Sequence, residues 1–113
     1  MKRFIFLLIF ILPFTSRATN TDSLWRIWND KSVNKNKRLN ILHDLAAHYI
    51  YKNFDSAIYI AKTELEFAQK HKLKDWEATA YSLYGTIFWQ KGYLPNAIQY
   101  YLKALKIMEE RKD

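Results

Sequence analysis

The sequence predicts an all-α protein built from antiparallel helix hairpins, about two of them, behind a short N-terminal helix. Three observations carry that expectation. Between Tyr81 and Leu105, in YSLYGTIFWQKGYLPNAIQYYLKAL, small and aromatic residues recur every three or four positions on both sides of one turn, which is the period of a helix face. The turn is punctuated by Gly92 and then Pro95, a glycine where one helix exits and a proline in the first turn of the next. Gly85 sits inside the first of these helices, where glycine costs about 1 kcal/mol relative to alanine, so a neighbouring helix is expected to approach too closely for a side chain.

Taken in order, residues 1–18 form a separate segment. Lys2 and Arg3 precede nine consecutive apolar residues, Phe4 to Leu12, followed by Pro13 and the step Ser16-Arg17-Ala18. A charged start, a short apolar stretch and small residues three and one before a cut describe a signal peptide, whereas a membrane-spanning helix needs roughly 20 apolar residues. The expected location is therefore exported, periplasmic or secreted, with no membrane attachment after cleavage. An uncleaved anchor is the alternative, because Arg17 lies inside the cleavage region. No cysteine occurs, which excludes a lipoprotein attachment site and any disulfide.

Residues 19–37 read as a short helix and a basic linker. Leu24, Trp25 and Trp28 are spaced for one amphipathic face between Asp22 and Asn29, with Thr21 or Asp22 as the cap, and this helix is expected to cover the end of the first hairpin. The run Asp30 to Arg38 is polar and basic enough for a linker. Residues 38–71 carry a degenerate copy of the later pattern. Setting Ala57 against Ala97 gives an offset of 40, which also matches Ile41 to Tyr81, His48 to Phe88, Phe54 to Leu94, Ala61 to Tyr101 and Leu65 to Leu105. Leu45 replaces Gly85 and Glu64 replaces Ala104, so the close-contact positions are expected to be lost in this copy, as happens in terminal units of repeat arrays. His71 to Asp75 reads as a connecting loop, the alternative being helices one turn longer. The clean copy occupies residues 78–111.

In the clean copy, Tyr81, Tyr84, Gly85, Phe88, Gly92, Ala97, Tyr101 and Ala104 fall in the order large, small, aromatic along one helix and small, aromatic, small along the next. At these residues the chain resembles the tetratricopeptide repeat, or TPR. The resemblance implies a TPR-like α-solenoid of about two repeats plus the N-terminal helix, with a concave face lined by the first helix of each hairpin. Carried over position by position, it places Thr79, Ser82, Thr86, Trp89 and Gln90 on that face in the second repeat. In the first repeat it places Leu39, Leu42, Ala46, Tyr49 and Ile50 there. Some family members grip a peptide's terminal carboxylate with lysine and asparagine at such places; Ser82 and Thr86 do not supply that chemistry. The alternative for Trp89 and Tyr49 is burial against a neighbouring helix.

Catalysis, cofactors and metals find no support in the residues. With only two glycines, no phosphate-cradling loop exists. His43 and His48 are five apart, about 140° around a helix, so they cannot share a metal. His48 occupies an aromatic position of the first repeat and reads as a packed, hydrogen-bonded core histidine, while His71 suits the end of its helix. Glu64 with Glu66, and Glu109 with Glu110, do not make an acid/base pair. The formal charge is +7; without residues 1–18 it is 15 basic against 11 acidic side chains, or +4. Those lysines are scattered, so nucleic acid is not an expected partner.

What remains is a binding protein. The expected function is an exported, non-catalytic interaction scaffold that takes a helix or extended peptide of a protein partner on its concave face. Two repeats leave one end uncovered, and the open face around Tyr100, Leu102 and Ile107 is expected either to self-associate into a homodimer or to continue into a longer protein. The order of signal peptide, tryptophan-bearing helix, degenerate repeat and clean repeat also resembles the extracytoplasmic sensor region of bacterial membrane signalling proteins. That resemblance implies an alternative: a sensor domain for a histidine kinase, nucleotide cyclase or transcriptional regulator.

Overall fold

A computed structural model describes residues 20–112; the signal-peptide expectation for residues 1–18 lies outside them. Among the described residues there are five helices and no strand: α1 (Asn20–Asn29), α2 (Lys35–Tyr49), α3 (Phe54–Lys70), α4 (Lys74–Lys91) and α5 (Leu94–Lys112). The connections 50–53, 71–73 and 92–93 are short, and each helix packs mainly on the next in sequence. Helices in contact across such short turns have to reverse direction, so α2–α3 and α4–α5 are two helical hairpins.

Local chemistry sets the boundaries, and it corrects the expected linker and loop. Asp30 closes a tight turn by accepting from both the backbone N–H and the hydroxyl of Ser32, at 2.9 and 2.6 Å. Asn34 then caps α2, its Oδ1 accepting from the Lys37 N–H at 2.8 Å. Lys35 to Arg38 are thus the first turn of a helix rather than linker, since straight-chain basic residues favour helix once a cap is present. Asn53 caps α3 in the same way through the Ser56 N–H. Between α3 and α4 only 71–73 is non-helical; Lys74 and Asp75, expected in a loop, open α4. The residues separating the two copies lengthen helices instead.

The core is one contiguous cluster of Leu42, Leu45, Ala46, Ala57, Ile60, Ala61, Leu83 and Ile87, contributed by α2, α3 and α4. Leu24, Trp25 and Trp28 of α1 pack against it. Arg38 joins α1 to the first hairpin: its Nε donates to the Trp28 carbonyl at 2.8 Å, and its guanidinium lies over the rings of Trp28 and Phe67. A residue from the basic run therefore serves the fold through cation–π contact and a backbone hydrogen bond.

The second hairpin closes tightly where the sequence requires it. A Cβ built on Gly85 would lie 2.8 Å from the ring of Tyr101, so α5 comes too close for any side chain there. Gly92 has φ +87° and ends α4, with its N–H bonded to the Trp89 carbonyl and the Tyr93 N–H bonded to the Phe88 carbonyl. Those two bonds are the Schellman arrangement, which needs a left-handed residue. On the other side of the hairpin Tyr100 stacks on Tyr84 at 4.8 Å and on Phe88 at 5.5 Å. Burial, with a smaller contribution from Tyr100, pushes the Tyr84 phenol up to about 12. At the far end Arg111 of α5 donates to both carboxylate oxygens of Asp75, while Trp76 Nε1 donates to Asn36 of α2 at 2.9 Å.

Candidate functional site

A groove of about 380 Å³ opens between α2 and α4, lined by His43, Ala47, Ile50 and Tyr51 on one side and Thr79, Ser82, Leu83 and Thr86 on the other. Its walls are the first helices of the two hairpins, with Ile50 and Tyr51 added from the turn that follows α2. Thr79, Ser82 and Thr86, all expected at a binding surface, are gathered on the α4 wall at positions three and four apart. Thr79 Oγ1 donates to the Asp75 carbonyl at 2.9 Å and Thr86 Oγ1 to the Ser82 carbonyl at 3.0 Å. With its one hydrogen committed, Thr86 accepts from the Tyr101 hydroxyl at 2.8 Å. Ser82 makes no side-chain hydrogen bond among the described residues, so its hydroxyl can still donate into the groove.

The other expected surface positions lie elsewhere. Leu42 and Ala46 are fully buried, because α4 lays Leu83 and Ile87 into the same cluster. Leu39 is fully buried as well. Tyr49 packs against the core and borders a separate depression of about 250 Å³ with Trp25, Ser56 and Tyr59. Trp89 is 61% exposed and outside the groove, so its expected alternative, burial against another helix, does not hold among the described residues. His48 is exposed, with its ring edge-on to Tyr49 at 5.0 Å, and is not a core histidine.

The first-repeat positions fail for a reason of register. The offset of 40 fits Ala57 and Ala97 on α3 and α5, but the buried positions Leu39, Leu42 and Ala46 on α2 match Ala80, Leu83 and Ile87 on α4 at an offset of 41. A helix misplaced by one residue is turned by about 100°, enough to swing a groove position into the core. Leu39, Leu42, Leu45 and Ala46 form an apolar stripe in the sequence. Aligning α2 by that stripe would have left Ala47 and His43 beside it, at the groove.

The residue that sequence reasoning missed most completely is Glu64, which is fully buried. His43 Nδ1 lies 3.0 Å from Glu64 Oε1, and Glu64 Oε2 has no partner. Burial pushes the Glu64 carboxyl above its ordinary 4.5 despite the hydrogen bond from His43. The hydrogen bond to Glu64 in turn holds His43 above its ordinary 6.5 against partial desolvation, with a smaller contribution from Asp44. The two groups are 21 residues apart, so no local spacing announces them. A carboxylate behind an imidazole is also the orienting half of a nucleophilic triad. Here the groove hydroxyls of Ser82 and Tyr51 make no hydrogen bond to His43 among the described residues, so the pair presents one polar, proton-holding edge to the groove.

Among the described residues no group of three or more His, Cys, Asp or Glu side chains is placed to hold a metal. No helix there is long and apolar enough to cross a membrane. No protein-family model, no curated protein and no solved structure matches this chain.

Proposed function

We propose that this chain is a TPR-type helical repeat of two hairpins, exported by its N-terminal segment, which docks a helix or extended peptide of a protein partner in the groove between α2 and α4 without catalysing a reaction. The observation that carries this reading is the groove itself. Two hairpins contribute the same element to it, and its walls mix an apolar floor from Ala47, Ile50 and Leu83 with the polar edges of His43, Tyr51 and Ser82. Apolar area supplies the bulk of binding energy in such grooves, and a few placed polar groups set orientation.

The test is to pan a displayed random-peptide library against the intact chain, then measure the selected peptides on Ala47→Trp, which fills the groove from the exposed side of α2. Binding should weaken at least tenfold, about 1.4 kcal/mol, with the circular dichroism spectrum unchanged, while Trp89→Ala should leave it intact. Equal binding to Ala47→Trp and the parent would mean that the peptides dock elsewhere and the reading is wrong. Export is checked separately, by the mass of the chain recovered outside the cytoplasm: cleavage after Ala18 is expected, and a full-length membrane-bound product would refute it.

A further inference from the structure

The groove between α2 and α4 continues past Tyr51. Ile50 and Tyr51 also border a second depression of about 200 Å³, where Lys52 follows the end of α2 and Lys91 is the last residue of α4. Among the described residues lining the two depressions, His43, Lys52 and Lys91 are basic and none is Asp or Glu. Glu64 is fully buried, and Asp55 borders the separate depression beside Trp25 and Tyr49. Neither lysine forms an ion pair among the described residues; Lys91 Nζ lies over the Phe54 ring at 5.3 Å. Both lysines stand at helix C-termini, whose dipoles offset roughly half a charge each, so a positive surplus remains.

Glu64 decides what His43 offers to the groove. The hydrogen between His43 Nδ1 and Glu64 Oε1, 3.0 Å apart, is internal to the pair, which leaves Nε2, on the other edge of a half-exposed ring, as its outward group. When the pair holds a second hydrogen, that hydrogen is on Nε2, whichever partner owns the bridging one, and Nε2 donates. When the second hydrogen is lost, Nε2 is a bare lone pair and the pair carries a net negative charge. We infer that the occupant of the groove is an acidic segment of the partner, one carboxylate accepting from His43 Nε2 and others lying against Lys52 and Lys91; this rests on the docking proposed for the same groove. A carboxylate makes a charge-assisted hydrogen bond to the protonated pair and is repelled by the deprotonated one, so docking takes up a proton. Glu64 from α3, with a smaller contribution from Asp44 on α2, holds His43 above its ordinary 6.5. From α4 the groove receives Thr79, Ser82, Leu83 and Thr86, none of them acidic or basic, and the turn after α2 adds the Tyr51 phenol.

The experiment selects peptides from a histidine-free displayed library on the intact chain at about pH 6, where peptide carboxylates are ionised, and keeps those that Ala47→Trp weakens. These peptides should be richer in Asp and Glu than the library. Resynthesised with Asn and Gln in place of Asp and Glu, they should bind roughly tenfold more weakly, the worth of one charge-assisted hydrogen bond. The affinity of the acidic forms should fall by a similar factor between about pH 6 and about pH 9, as His43 Nε2 loses its hydrogen. Lys52→Gln/Lys91→Gln should weaken them severalfold at unchanged helicity, and His43→Gln should flatten the pH profile. The amide peptides and the pH profile are both read on the parent chain, so the test stands even where His43→Gln does not fold. Groove-docked peptides without excess acid, amide forms that bind equally, or a flat profile in the parent would each overturn the inference and leave the docking reading in place. A selection in which no peptide is sensitive to Ala47→Trp would overturn the docking reading itself, and the inference with it.

Discussion

In the first hairpin a large side chain sits on the leading helix and a small one on the returning helix: Leu45 on α2 and Ala61 on α3, both fully buried in the core cluster. In the second hairpin the large side chain is on the returning helix instead. Gly85 on α4 receives the ring of Tyr101 from α5. Each pair sums to about the same side-chain volume with the bulk on opposite sides of its interface, and cores tolerate either arrangement when total volume is kept. The hairpins differ a second way at Glu64 and Ala104. Both are buried, but one is a methyl group and the other a carboxyl that needs His43.

The largest expected effect breaks the comparison at that carboxyl. His43→Ala leaves the fully buried Glu64 without its partner, and a buried carboxyl left unsatisfied costs up to about 3 kcal/mol. Because Glu64 is held above its ordinary 4.5 by burial, it can escape the cost by taking a proton. The loss should be greatest where Glu64 is ionised while His43 still holds its proton, and shrink both toward acid pH, where Glu64 is neutral, and toward alkaline pH, where His43 is neutral, as read by urea unfolding across the range. In the parent chain both groups are raised, so the folded state holds protons that the unfolded chain has released, and stability falls as pH rises. The His43 contribution is complete below 6.5, its ordinary value, and is lost as pH climbs through the higher folded value. Glu64→Gln should flatten this slope while keeping an oxygen to accept from His43. A slope that survives in Glu64→Gln would show that other groups cause it.

The volume exchange predicts the next largest effect. Gly85→Leu forces a side chain into the ring of Tyr101 and should cost about 2 kcal/mol, in the range of overpacked cores. Adding Tyr101→Ala clears the space the new side chain needs and should recover more than half of that loss, a coupling of about 1 kcal/mol in a double-mutant cycle. Simple additivity of the two substitutions would mean that the two side chains do not compete for one space.

These cases also show what the sequence could and could not reveal. Gly85, Gly92 and the alternation of small and aromatic residues speak through rules of three and four residues, and those rules placed the second hairpin and its turn. Asn34 carries a local rule too, but its capping signal was outweighed by the charge of the lysines beside it. Glu64 has no local rule. Its burial depends on an imidazole 21 residues away, and an isolated glutamate in a helical pattern reads as solvent-facing. The α2 wall was lost to a one-residue difference: Ala46 to Ala57 spans eleven residues, and Ile87 to Ala97 spans ten. An offset taken from the returning helices therefore could not be carried onto the leading ones.

The smallest effect compares two helix ends rather than two interfaces. Lys72 has φ +57° and closes α3 with the bonds that Gly92 uses to close α4: the Lys72 N–H reaches the Gln69 carbonyl and the Leu73 N–H reaches the Ala68 carbonyl. The left-handed conformation costs a residue with a Cβ about 1 kcal/mol, a penalty glycine escapes. Part of that gain is offset because glycine loses more backbone entropy on folding. Lys72→Gly should therefore stabilise the chain by roughly 0.5 kcal/mol, and Gly92→Ala should destabilise it by about 1 kcal/mol, both read as shifts of the urea midpoint at constant slope. A destabilised Lys72→Gly would mean that its side chain, exposed beside Asn36 and Arg111, contributes more to the fold than its backbone strain removes.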